Sequence, residues 1–587
     1  MLVFGDRARE GDPGAWIARI EAALRAQSGA PPGLARHAIL VGSLIEAGEL
    51  AQGIADADLA ARGEDAPSGA QDLATALLMA LARAAWHSWR AGCAGAPVAP
   101  GPLAALAGAA LPARISGRRA EGFAFYALYP EGYGAAAAGS GLTPGTTCLG
   151  IRSIGLPLAA MVAAALGARA PLSVRPVGHP FDRRLALGPG AERALAEAAR
   201  GEVAIVDEGP GLSGSSFGAA SDALAARGAG PERLAFFPSH PGEPGPRAAP
   251  RHRRAWARAR RHLVPFERLL LDAENPAHRL AGWVSGLLGP LDGPLEEVSG
   301  GAWRRHHFAR EADWPPVNAQ LERRKFLARA GGATWLVKFV GLGPTGEAAL
   351  ARARRLHAAG FTPPVAGLVH GFLVERWLAE ARPLRPGALA PLPLAEAVGR
   401  YLAFRAAAFP ADPEEGATLP DLVAMARHNA AAALGEEAAR GFSPYGAARL
   451  AALGERRRPV RVDARLQPWE WLVLPDGSLR KADALDHHAG HDLVGCQDIA
   501  WDVAGARVEL DLPSAAAERI GAVLAAAGIR PPDPDLLGLH TLCYLAFRLG
   551  ACTLAAESGA APDEALRLRA AAAACATRLD RLLRESR

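Results

Sequence analysis

Cysteine is scarce in this 587-residue chain and nowhere paired. Cys93, Cys148, Cys496, Cys543, Cys552 and Cys575 stand far apart with no CxxC among them, so neither a zinc ribbon nor a disulfide scaffold is implied. The opening MLVFGDRAREGDPGAW has no basic stretch leading into an apolar one, which argues against a secretory signal there. No run of about 18 residues reads as apolar and charge-free enough to span a bilayer, and the expectation is a cytoplasmic protein without a membrane partner. The 66 glycines and 47 prolines have no period, which excludes collagen and repeat arrays. An excess of one charge is nearly missing too. The net +5, mostly from arginine, fits phosphate-bearing small substrates at least as well as nucleic acid.

What is present is globular: 50% hydrophobic residues, many of them alanine, and 21% charged. At about 150 residues per domain the length suggests three or four units. The expected class is multidomain α/β. Residues 1–112 read as a helical N-terminal region of alanine-rich amphipathic segments, with a packing or oligomerisation role. Residues 113–245 alternate strand and helix (CLGI, AAMVAAALGA, APLSVRPV, VAIVDEGP, RLAFFPSH), the pattern of a doubly wound parallel sheet with its site at the strands' carboxyl ends. Residues 246–302 read as a connector, whose basic PRHRRAWARARRH is a solvated helix face rather than a nucleic-acid surface. Residues 303–587 read as a two-lobed α+β unit with hairpins at Gly331-Gly332 and Asp476-Gly477 and helices to the end.

AIVDEGPGLSGSSF carries the sharpest signal. Asp207 and Glu208 end a buried strand, where carboxylates can accept from vicinal ribose hydroxyls. Gly209, Gly211 and Gly214 let backbone NH groups converge, and Ser213, Ser215 and Ser216 add hydroxyls at a helix N-terminus that favours a phosphate dianion. The passage resembles the ribose-phosphate signature of the type I phosphoribosyltransferases. LGIRSIGLPLAAMVAAAL is similar to that family's pyrophosphate turn, here Arg152, Ser153, Ile154 and Gly155, about 55 residues upstream. The resemblance implies phosphoribosyl pyrophosphate or a nucleotide as ligand, Mg²⁺, and a glycosyl transfer at C1 with Asp207 and Glu208 as catalytic acids. It also makes Arg175, His179, Arg183 and Arg184 candidates for the leaving pyrophosphate, and leaves 120–145, with Tyr126 and Tyr129, to cover the base. The loop is one residue longer than the family's common form, through Gly-Pro-Gly-Leu.

The C-terminal unit resembles the aminoglycoside-phosphotransferase branch of the protein-kinase-like fold, which implies ATP. Lys338 in TWLVKFV takes the place of the phosphate-binding lysine, Glu347 that of its ion-pair partner, and LVERWL with Glu375 that of the adenine hinge. In RLQPWEWLVLPDGSLRKADALDHH, Glu470 stands for the loop asparagine and Asp483 for the metal aspartate, a Mg²⁺ pair. Arg465 occupies the place of the catalytic aspartate, and Asp463, two residues earlier, is the substitute base. Asp483, Asp486, His487, His488, His491 and Asp492 also offer a transition-metal set, ranked below Mg²⁺ on Asp483 and Glu470. The expected function is a two-headed small-molecule transferase, phosphoribosyltransferase-like and kinase-like, with a small-molecule acceptor. The alternative is a nucleotide-sensing regulatory protein with degenerate catalytic sites.

Overall fold

The structure, a computed structural model, describes residues 9–585 except 118, 212, 246, 491 and 492. Three helices open the chain: Pro13–Gly29, Leu34–Arg62 and Gly69–Arg90. The first starts where the Asp12 side chain accepts from the Gly14 amide ahead of Pro13. The third starts where Ser68 accepts from Gln71. The middle helix is buried through most of its length, and its Leu44, Leu50 and Ile54 share one core with Leu158, Met161, Ala204 and Val206.

That shared core explains the strand VAIV. In Val203–Val206 alternate side chains point to opposite faces, so Ala204 and Val206 meet the N-terminal helices while Val203 and Ile205 meet Phe217, Phe236 and Trp256. With both faces covered, every position is apolar, as parallel strands require. The sheet runs Leu172–Val174, Thr147–Ile151, Val203–Val206, Leu234–Phe237, Arg260–Arg261, all parallel. Its fifth strand and the helix Pro250–Arg258 come from the stretch expected to be connector. Trp256 fixes them there, its ring 5.3 Å from Phe217 and 5.6 Å from Phe236, while most of the arginines of the basic run face solvent.

The second sheet is antiparallel, in the order Glu296–Glu297, Lys325–Ala330, Ala333–Phe339, Phe372–Arg376, Val365–Val369. Gly331 and Gly332 turn its hairpin with φ of 58° and 70°, a conformation side chains resist. Val337, Phe339 and Val374 pack one face onto the N-terminal core. The opposite face, with Leu336, Lys338, Leu373 and Glu375, overlooks a helical unit that carries the hairpin Trp471–Val473 and Leu479–Lys481.

Contrary to expectation, two helices, Leu34–Arg62 and Pro534–Glu557, are long and apolar enough to cross a membrane. Most of the apolar stretch of each is buried inside the fold, as in a core helix.

Candidate functional site

At the carboxyl edge of the parallel sheet lies a cleft of about 1240 Å³ lined by Ser153, Ile154, Arg183, Asp207, Glu208, Gly211, Ser213 and Ser216. The two expected loops are therefore brought together. Gly155 makes that approach possible, since a Cβ there would stand 2.3 Å from the Val206 carbonyl oxygen of the neighbouring strand. Tyr133 Oη donates to the Asp207 carbonyl oxygen (2.9 Å) and the Ser239 amide to that of Glu208 (2.8 Å), so the acid pair is held from both sides. Gly211 and Gly214 both take φ 59° and turn the chain into the helix Ser215–Ala225. Ser215 is fully buried and donates to the Pro180 carbonyl (2.6 Å), pinning the turn to the hairpin Pro176–His179 and Asp182–Leu185. Ser213 and Ser216 face the cleft, and Arg183 donates to Ser216 Oγ at 2.8 Å. Burial pushes the Asp207 carboxyl up to about 7, against the Glu208 amide and the Arg175 and Arg183 charges.

The arginine expected to hold pyrophosphate is occupied elsewhere. Arg152 is buried in ion pairs with Asp56 (2.9 Å) and Asp65 of the N-terminal region. Arg175 pairs with Asp56 and donates to Ser153 Oγ at 2.8 Å. Both guanidiniums tie the turn to the helices, because two carboxylates stand behind it that sequence spacing does not reveal. His179 and Arg184 are exposed.

A second cavity, of about 80 Å³, lies between the antiparallel sheet and the hairpin and is lined by Lys338, Glu375, Trp377, Arg465, Glu470 and Asp483. Lys338 Nζ meets Asp483 Oδ2 at 2.6 Å. Burial opposes the ammonium, but Asp483 and then Asp486 outweigh it and raise its pKa. Asp483, not Glu347, is thus the lysine's partner. The helix Gly343–Ala358 buries Gly346, Ala349 and Ala353 and leaves Glu347 exposed. Asp483 Oδ1 is buried without a hydrogen-bond partner, which fits a cation held there together with Glu470.

Asp463 is placed where a base cannot work. Fully buried, it accepts from Tyr401 Oη (2.5 Å) and pairs with Lys481 (3.3 Å), while its own amide and that of Ala464 donate to Asp502 at 2.8 Å. Burial disfavours its charge, but Lys481 and then the His487 hydrogen bond hold its carboxyl well below the ordinary range. Arg465 faces the cavity instead, and also lines an adjoining pocket of about 40 Å³ with Tyr126, Leu321, Asp483 and His487. Asp483, Asp486 and His487 bring ligand atoms within 4.8 Å of one another, although Asp486 already receives Arg323 at 2.6 Å. His488 is buried outside that group, and His491 and Asp492 lie outside the described residues.

One signal was available in the sequence. The chain has three lysines among its many arginines: Lys325 and Lys338 line this cleft, and Lys481 is buried against Asp463. A compact ammonium serves as a point charge for phosphate or a buried carboxylate where a guanidinium fork serves less well.

Glu375 is 6% exposed and its carboxyl is pushed up to about 7 by burial, with Lys338 opposing and Asp483 adding. A carboxyl raised above its ordinary 4.5 costs the folded state nothing when protonated and destabilises it progressively as pH rises through about 7. Glu375→Gln is therefore expected to gain stability relative to wild type between about pH 5 and pH 8, by up to about 3 kcal/mol. Thermal midpoints that stay parallel across that range would show that Glu375 ionises freely.

No protein-family model matches the chain, and no curated protein does. Among solved structures, choline kinase LicA from Streptococcus pneumoniae is similar at 18% identity, over 43% of this chain and 89% of that one, with a TM-score of 0.31. A macrolide 2′-phosphotransferase type I is similar at 16% identity, over 50% and 94%, with a TM-score of 0.31. A spectinomycin phosphotransferase in complex with ADP and spectinomycin is similar at 12% identity, over 52% and 97%, with a TM-score of 0.34.

Proposed function

We propose that the chain is a two-headed small-molecule transferase, with a 5-phosphoribosyl ligand in the parallel-sheet cleft and Mg·ATP between the Lys338 strand and the Asp483 hairpin. The observation that carries the first half is the meeting of an acid pair, a glycine–serine turn and a helix N-terminus on one cleft floor. There the Ser213 and Ser216 hydroxyls and the helix amides receive phosphate, while Asp207 and Glu208 accept from the ribose hydroxyls. With the Arg152 and Arg175 guanidiniums engaged by carboxylates, a pyrophosphate would meet chiefly Ser153, the turn's amides and Arg183, so ground-state binding is better supported than rapid pyrophosphate departure.

In the second cleft Lys338 and a cation on Asp483 and Glu470 would neutralise the nucleotide phosphates, and Glu375 to Leu378 line the side open to a base. Bound Mg²⁺ supplies charge neutralisation there. The clefts adjoin: Tyr126 and Leu321 line both the ribose-phosphate cleft and the pocket beside Arg465. An acceptor related to the first cleft's ligand suits that arrangement. Arg465 in the base position favours a second reading, a nucleotide sensor that keeps both pockets without fast chemistry.

Calorimetry on the full chain tests the proposal. Ribose 5-phosphate and Mg·ATP are each expected to bind, with Lys338→Ala and Asp483→Asn each weakening Mg·ATP by about tenfold or more, the loss of one charged hydrogen bond. Failure of wild type to bind either ligand, or unchanged Mg·ATP affinity in both variants, sinks the corresponding half.

A further inference from the structure

Behind the wall of the parallel-sheet cleft that Tyr129 and Tyr133 line, three segments distant in sequence converge on one point. His37 comes from the helix Leu34–Arg62, Glu131 from Pro130–Ala138, and His370 from the turn between Val365–Val369 and Phe372–Arg376. His37 Nε2 lies 2.9 Å and His370 Nε2 2.8 Å from the same oxygen, Glu131 Oε1, and all three side chains are buried. We propose that this cluster is a binding site for a divalent transition-metal ion of the zinc class, which joins the N-terminal helices, the parallel-sheet unit and the antiparallel sheet.

Three observations point beyond a hydrogen-bonded triad. First, both rings crowd onto Oε1 while Glu131 Oε2 is buried with no partner at all. A network built for hydrogen bonding would spread two donors over two oxygens, since an orphaned buried carboxylate oxygen costs on the order of 1–3 kcal/mol. Donor atoms around a tetrahedral zinc are about 3.3 Å apart for bonds near 2.0–2.1 Å, so the cluster needs to open by only about 0.5 Å.

Second, the surroundings suit a ligated imidazole. A metal on His37 Nε2 puts the ring proton on Nδ1, and Ser88 Oγ stands 3.0 Å from that nitrogen. Tyr129 Oη donates to the His370 carbonyl oxygen at 2.8 Å and steadies the turn. Trp283 and Tyr129 pack on the His370 ring at 5.5 and 5.2 Å and hold its orientation.

Third, strain collects here. His370 (φ 39°) and Cys93 (φ 69°) are two of the five non-glycine residues with positive φ among the described residues. Cys93 is buried, and its amide donates to the carbonyl oxygen of Ser88, the residue that stands beside the His37 ring, at 2.8 Å. Cys93 stands outside the group whose ligand atoms lie within 4.8 Å of one another, so His37, Glu131 and His370 supply three ligands and the fourth position falls to a water or an anion.

The test uses the full chain, stripped with chelator, loaded with Zn²⁺, gel-filtered and assayed for metal. About one zinc per chain is expected in wild type and equally in Asp483→Asn, which removes the other acid–histidine cluster from consideration. Glu131→Gln combined with His370→Asn should retain less than about a tenth of that. Should the double variant fail to fold, Co²⁺ loaded into Asp483→Asn decides: the visible bands of a four-coordinate site support the proposal, and their absence overturns it. Wild type without stoichiometric metal, or a folded Glu131→Gln, His370→Asn protein that keeps it, also overturns it and leaves a hydrogen-bonded triad.

Discussion

Replacing Asp207 and Glu208 together by alanine is expected to weaken ribose 5-phosphate binding by about 10²–10⁴-fold, since each hydrogen bond to a charged group contributes about 1.5–3 kcal/mol. Both acids stand at the tip of Val203–Val206, their carbonyls fixed by Tyr133 and Ser239, so their positions do not depend on the ligand. The phosphate half of the site is separate. Ser213, Ser216 and the helix amides keep their places without the acids, so affinity for inorganic phosphate should change little. That contrast distinguishes loss of ribose recognition from collapse of the loop. Burial of Asp207 raises its carboxyl to about 7, so the double variant should not be less stable than wild type above that pH. Calorimetry with ribose 5-phosphate and phosphate, beside a thermal melt, checks all three expectations. An unchanged ribose 5-phosphate affinity would show that the acids serve the fold.

How much of this was legible depends on whether a signal lay within one segment or across several. The strand VAIV, its acid tip and the SGSS turn form one continuous stretch, and the structure places them together at a cleft. The Gly331-Gly332 and Asp476-Gly477 hairpins are equally local, because positive φ and turn chemistry are written in the dipeptide. Arg152 shows the limit. Its turn was legible, but its guanidinium is claimed far upstream by Asp56 in the helix Leu34–Arg62 and Asp65 in the connection that follows it, a region whose sequence shows only apolar patterning. Glu347 fails for a different reason: which face of a helix turns inward is set by packing, and small residues at 346, 349 and 353 take that face. The end of the parallel-sheet unit was obscured because PRHRRAWARARRH looks solvated until Trp256 is seen to anchor it. The lysine scarcity, by contrast, could have been counted from the sequence.

The second large effect is a gain. Arg465→Asp is expected to raise ATP turnover by about 10²–10⁴-fold, the usual contribution of a positioned general base. The backbone on either side is already set for such a residue. Asp502 accepts the amides of Asp463 and Ala464, with Ala464 at φ 59°, and this turn delivers the side chain of residue 465 to the cavity that holds Glu470 and Asp483. A carboxylate there would face the pocket shared with Tyr126 and Leu321, where an acceptor hydroxyl or water has room to approach. Arginine at that position can hold a phosphate but cannot take a proton at neutral pH. Asp463 cannot step in, because it is fully buried against Lys481 and Tyr401. Removing a cation also has its own effect: Arg465 disfavours the imidazolium of His487, so its loss raises the His487 pKa further. Arg465→Ala controls for this, since it removes the charge without installing a base. Phosphate release from Mg·ATP should be much faster in Arg465→Asp than in either Arg465→Ala or wild type, with the gain growing as pH rises past the new carboxyl's pKa. If aspartate and alanine at this position turn over ATP at the same rate, position 465 is not where the proton is taken.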